Sequence, residues 1–268
     1  MSPDAAALGH RSDAVGPGAH GAAPEDGRRH ARRRRGGDVA YAVVGVAGEL
    51  LITLGVLLGL FTVWQIWWTD VQAGRLQTEL VASLDWPAPP ERAAPALRTD
   101  EPPVMPEPVT DGDVFALLYV PRWDGQAPTT IKQGVDKRTI LDTGSGGHYP
   151  GTAMPGDVGN VAVAGHRSTY GRPFHRVAEL EDGDPLVVRS EDTWYVYRVT
   201  GTQIVWPDQV EVVAPVPNEP GVAPTRRFLT LTACHPILSA RQRFIVHAEL
   251  EGWLPVADGS PEALAGGA

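Results

Sequence analysis

Residues 39–68 are almost wholly apolar, interrupted only by Glu49, Gln65 and a few small or hydroxyl-bearing residues. A helix rises about 1.5 Å per residue and roughly 20 residues cross the hydrocarbon core of a bilayer, so 50–68 nearly suffices with Glu49 kept at the interface. Such a span withdraws this segment from any soluble core and gives the rest of the chain an inside and an outside. The basic run Arg28-Arg29-His30-Ala31-Arg32-Arg33-Arg34-Arg35 precedes it. Positive charge flanking a span stays on the cytoplasmic side, which predicts a cytoplasmic N-terminus and an extracellular remainder. Trp64, Trp67 and Trp68 at the far end suit the interfacial aromatic belt. No A-x-A-like site follows at Thr69-Asp70-Val71-Gln72, so an uncleaved single-pass anchor in the cell membrane is expected rather than a signal peptide.

Residues 1–38, rich in Gly, Ala, His and Arg and without an apolar period, predict a disordered cytoplasmic tail. After the span, Val71, Leu76, Leu80, Val81 and Leu84 continue a helical pattern that Pro87 stops. Residues 87–108 add Pro89, Pro90, Pro95, Pro102, Pro103 and Pro106. That composition reads as an extended spacer, the alternative being a segment packed on a folded face, so 69–110 is expected to form an extracellular helical and proline-rich stalk. The folded part is expected over 111–256, with 257–268 a small, polar, disordered tail.

Within 111–256 the apolar runs are short: 114–120, 161–164, 185–188, 194–199, 204–206, 228–232 and 244–250. Turn signals at Gly156-Asp157, Asp182-Gly183-Asp184 and Ser190-Glu191-Asp192 separate them. Seven or so strands at this spacing predict a mainly β domain, a closed barrel or a sandwich. No G-x-G-x-x-G sits between a strand and a helix, which excludes a dinucleotide fold. A net charge of −9, with the basic residues concentrated ahead of the span, excludes a general nucleic-acid binder.

The chain holds 1 cysteine, Cys234, so it forms no internal disulfide. In an exported domain that thiol is either buried and inert or reactive. It closes the run 228–232, and the next run, 244–246, is opened by Arg243. A useful thiol nucleophile needs a basic or cationic neighbour. His166 is the first candidate, directly after the strand 161–164 and Gly165; His148, in a glycine-rich loop, is the second, with His175, His235 and His247 weaker. An acyl-transfer oxyanion needs a donor. Arg243 is the best placed, and Arg241, two residues away on the same face of an extended strand, competes.

Four strings then combine: 146–156 (GGHYPGTAMPG), 160–167 (NVAVAGHR), 230–236 (TLTACHP) and Arg243-Phe244-Ile245-Val246. In this order, over about 114–250, they resemble the sortases, most of all the class E sortases of high-GC Gram-positive bacteria. The resemblance implies a closed sortase β-barrel with short helices. It also implies roles: His166 as acid/base, Cys234 as nucleophile, Arg243 as oxyanion or substrate arginine. The reaction implied is transpeptidation, cleaving a Leu-Ala-x-Thr-Gly or Leu-Pro-x-Thr-Gly sorting signal of a secreted protein between Thr and Gly. An amine of a peptidoglycan precursor is the implied acceptor.

Candidate substrate contacts are Tyr119, His148, Thr232 and Ala233, with Val213 and Val216 in the proline-rich connection 206–225. Ala233 stands where the family usually has a threonine, while Thr232 faces the other side of the strand. Glu179, Glu181, Asp182 and Asp184 could gather oxygens around Ca2+. Such clusters are more often solvated turns, so no metal ligand and no obligatory cofactor is expected. Three rivals stand beside this reading. A pilin-polymerising sortase lacks its Asp-Pro-aromatic lid in 99–110, a non-enzymatic wall-binding module would bury Cys234, and an L,D-transpeptidase lacks its Ser-x-Gly-Cys signature.

Overall fold

A computed structural model describes residues 26–91, 95–108 and 110–265, leaving aside the side chains of 26–38 and 66. Of the tail expected to be disordered, 1–25 lie outside the described residues, whereas the backbone from Asp26 is helical. Helix α1 runs Asp26–Ser83. Consecutive residues Val56, Leu57 and Leu58 are 55%, 58% and 56% exposed, so apolar side chains cover every side of the helix. A helix apolar all round is made for lipid, and this one is long and apolar enough to cross a membrane.

The chain divides into two compact units, Met1–Leu60 and Phe61–Ala268. The second contains the end of α1 and eight strands: β1 Val114–Tyr119, β2 Thr129–Gln133, β3 Gly146–His148, β4 Gly159–Gly165, β5 Pro185–Arg189, β6 Thr193–Val205, β7 Arg227–His235 and β8 Gln242–Pro255. They close a barrel in the order β1-β2-β3-β4-β7-β8-β6-β5. Alternation along each strand sets its two faces. Leu118, Ile131, Val161, Val163, Tyr195, Tyr197, Leu229, Leu231, Ala233, Val246 and Ala248 fill the interior. Their intervening neighbours face outward.

The runs 194–199 and 204–206, expected as two strands, are one. The β6–β8 register shifts between Val199 and Gly201. The extra residue reverses the facing, so Val199 points inward while Gln203 and Val205 point outward. β2 and β3 were not expected as strands. Thr129, Thr130, Lys132 and Gln133 are too polar to read as one, yet all are buried, and Gly146-Gly147-His148 reads as loop.

The stretch expected as a spacer instead lies against the barrel. Ala73 is 3% exposed, and a Cβ on Gly144 or Gly171 would come within 3.2 or 3.0 Å of its methyl. Gln77 donates to the Thr143 carbonyl and Ser145 Oγ at 3.1 and 2.9 Å, and its Oε1 accepts from the amide and hydroxyl of Thr130 at 3.2 and 2.8 Å. Asp70 accepts from the Gly171 amide and pairs with Arg172. Farther on, Tyr195 donates to the Pro103 carbonyl at 2.8 Å, Met105 N to the Pro155 carbonyl at 3.0 Å, and Arg98 bridges to Trp253. The tail expected to be disordered, 257–268, continues the 3-10 turn Val256–Asp258 and forms another, Glu262–Leu264; 266–268 lie outside the described residues.

Candidate active site

Since Leu229, Leu231 and Ala233 of β7 face the core, Thr230, Thr232 and Cys234 face outward. Cys234 stands directly opposite Arg243 in the β7–β8 ladder. Parallel pairing of β4 with β7 ends at Gly165↔Ala233, so His166 and Cys234 are the next residues along the two neighbouring chains. Cys234 and Arg243 thus share the outer face of two paired strands, and His166 leaves the end of the third, adjacent strand. Cys234 is partly exposed, which contradicts the wall-binding reading with a buried thiol. Gly165 is required ahead of His166, because a Cβ there would lie 2.5 Å from the Phe174 ring.

His166 is held on two sides. Its Nε2 donates to Asp142 Oδ1 at 2.7 Å, with both side chains 16% exposed. Tyr170 stacks on the ring at 5.3 Å between centroids. Lys137 donates to the other Asp142 oxygen at 2.9 Å and lies 5.0 Å from the Tyr170 ring centre. The bond to Asp142 holds the Lys137 ammonium above its ordinary pKa. Asp142 and Tyr170 escaped sequence reading, because each comes from a connecting turn whose position only the folded chain defines.

The arginines separate by register. Arg243 Nη1 donates to the Ala240 and Gln242 carbonyls, both at 2.9 Å, which fixes the guanidinium at the turn before β8. Arg241 precedes the strand and lies over Trp206 at 5.5 Å.

The floor below Cys234 continues along the outer face. Thr232 Oγ1 meets Tyr149 Oη at 2.9 Å. Thr230 donates to Asn160 Oδ1 at 2.8 Å and lies 3.0 Å from His247 Nδ1. Asn160 in turn donates to the Ala214 carbonyl at 3.0 Å, tying the floor to the 206–225 connection. Val205, Val212 and Ile245 form a small apolar cluster with Val213 packed on it. Val216 lines a neighbouring recess with Asn218 and His247. Burial pushes His247 down to about 4.

Three candidates fall elsewhere. Ala233 is 2% exposed in the barrel interior, so the position before Cys234 looks into the core and not at the outer face. His148 is fully buried, bonded to Gln133, Thr152 and the Ala153 carbonyl, and edge-on to Phe115; burial lowers its pKa. Tyr119 packs edge-on against Trp194 in a separate cluster. Its strand is four steps from β7 either way round, through β2, β3 and β4 or through β5, β6 and β8. Of the weaker histidines, His235 accepts from Arg167 Nη1 at 2.9 Å and His175 bonds the Arg167 carbonyl at 3.0 Å. Both are structural placements. The acidic turn does not fit a cation: Glu181 and Asp184 pair with Arg122, and Glu179 with Arg176. Those guanidiniums take up the oxygens Ca2+ would need.

A thiol, an imidazole and a guanidinium brought together at the end of neighbouring strands of a closed barrel are the groups that a cysteine acyltransferase requires. The Sortase domain family matches residues 118–251, half of the 268-residue chain. Sortase SrtE1 of Streptomyces coelicolor is 36% identical over 247 residues, covering 89% of this chain, which itself spans 66% of that relative's length. The SrtA sortase from Actinomyces oris superposes with a TM-score of 0.60 at 44% identity, covering 63% of this chain and 96% of that one. Sortase E1 from Streptomyces coelicolor, solved with a tripeptide in its active site, gives 0.53 at 38% identity over 57% and 97%. The chain belongs to the sortase family of cysteine transpeptidases, and its relatives mark it as class E-like.

Proposed function

We propose that this enzyme joins secreted proteins to the cell wall by cleaving a Leu-Ala-x-Thr-Gly or Leu-Pro-x-Thr-Gly sorting signal between Thr and Gly. The Cys234 thiolate attacks the threonine carbonyl carbon. The oxyanion that forms is met by Arg243 through donors other than the Nη1 already engaged at the turn. Collapse of the adduct breaks the C–N bond, and protonated His166 delivers its proton to the departing glycine amine. The thioester is then attacked by an amine of a peptidoglycan precursor, whose proton returns to His166 as Cys234 leaves. Thr232, Tyr149 and Val213 lie along the groove the signal occupies. The apolar helix anchors the enzyme with its N-terminus in the cytoplasm and its barrel outside.

The observation that supports this reading is that Cys234 pairs with Arg243 across β7 and β8 while His166 directly follows the last β4–β7 pair, Gly165↔Ala233. The full chain in detergent micelles, given internally quenched peptides of both signal types with hydroxylamine, is expected to release hydroxamate, and Cys234→Ala to release none. A folded chain yielding none from either peptide overturns the proposal. Labelling of Cys234 in intact cells by a membrane-impermeant maleimide tests the orientation.

A further inference from the structure

We infer that Asp142 is the positioning residue for His166, fixing which ring nitrogen handles the reaction's proton, and that helix α1 holds Asp142 in place. The inference rests on the acyl-transfer reading of the site. With Nε2–H donated to Asp142 Oδ1 at 2.7 Å, the nitrogen left for the reaction is Nδ1. A neutral ring so held presents a lone pair at Nδ1 for the acceptor amine's proton. A protonated ring presents Nδ1–H to the leaving amine, while the Asp142 carboxylate offsets the positive charge. The proton travels between Nδ1 and the amine; the Nε2 proton stays shared with Asp142, which remains a carboxylate throughout.

Asp142 is itself constrained. Its 3-10 turn, Leu141–Thr143, runs into Gly144 and Ser145, and that segment is where α1 docks. Gln77 bonds Thr143 O and Ser145 Oγ on one side and Thr130 on the other. Ala73 seats against Gly144 and Gly171, and Asp70 fixes Gly171, next to Tyr170. The segment following the span therefore grips both turns that touch the imidazole. Lys137, 67% exposed, balances the second carboxylate oxygen from the solvent side.

The test uses the full chain in micelles, labelled with 15N-histidine, as wild type, Asp142→Asn, Asp142→Glu and Gln77→Ala. Wild type is expected to show His166 as a single Nε2–H tautomer with a hydrogen-bonded Nε2 proton. Asp142→Asn should mix the tautomers and lower kcat on the order of 10- to 100-fold, with the peptide KM within about twofold because Asp142 lies off the groove. Asp142→Glu should restore part of kcat, and Gln77→Ala should show a weaker form of the tautomer change. An Asn variant that keeps the wild-type 15N pattern, or loses only melting temperature, overturns the inference. A wild type that cleaves neither peptide yet shows the fixed tautomer, lost in Asp142→Asn, upholds this inference and overturns the proposed function instead.

Discussion

Cys234 and Arg243 face each other across a single rung of the β7–β8 ladder, and this rung separates Arg243 from Arg241. Arg243→Ala should lower kcat by about 10²- to 10³-fold, the usual effect of losing an oxyanion donor. Arg241→Ala removes only a stacking contact with Trp206 and should stay within about threefold of wild type. Steady-state kinetics on the quenched peptide check both, and the reverse ranking would move the oxyanion role to Arg241.

Ala233 and Thr232 test the two faces of β7. Ala233→Leu adds volume inside a filled barrel and should cost about 1–3 kcal/mol of stability, read by thermal unfolding, with KM of the folded fraction unchanged. Thr232→Val leaves the Tyr149 hydroxyl without its partner in the groove floor. It should raise KM severalfold with little change in melting temperature. A KM effect from Ala233→Leu alone would contradict the face assignment.

These two residues also mark how far sequence reading reached. The thiol, the histidine after a strand end and the arginine were legible because each is anchored to a short apolar run whose alternation is visible. The facing of Ala233 was not. It depends on which side of the barrel is core, and alternation fixes a strand's two faces without saying which is inside. β2 was missed because its polar residues are buried by barrel and helix together, and Asp142 because its partner lies 24 residues away in sequence. The prolines of 87–108 did not signal contact with the barrel. Whether an extended segment is free or packed depends on a surface elsewhere in the chain, here Gly156 beneath the Pro103 carbonyl.

His247 gives the fold a pH dependence. Its pKa falls from 6.5 to about 4 on burial, so between these values the unfolded chain binds a proton that the folded chain refuses. Stability is therefore complete above about pH 6.5 and declines as pH drops towards 4, by roughly 2–3 kcal/mol after allowing for partial solvent contact. His148, shifted in the same direction by burial, adds to the decline. Unfolding midpoints at several pH values should fall steadily across this window, and His247→Gln should flatten part of the slope. An unchanged slope in that variant would remove His247 from the explanation.

The docked end of α1 makes stability depend on residues outside the barrel. Gln77→Leu keeps the side-chain size but leaves the Thr130 amide and the Thr143 carbonyl without their side-chain partner beneath the helix. Unsatisfied buried groups cost about 1–3 kcal/mol, so the full chain should melt several degrees lower. A fragment beginning at residue 111 loses the helix altogether and exposes Thr130, which is fully buried in the intact chain. Amide exchange around Thr130, Gly144 and Gly171 should therefore speed up in the fragment and, to a smaller extent, in Gln77→Leu. Exchange at Leu229 and Leu231, in the barrel core, should change far less. Equal acceleration at both sets of amides would mean that the helix supports the barrel as a whole rather than the turns that carry Asp142 and Tyr170.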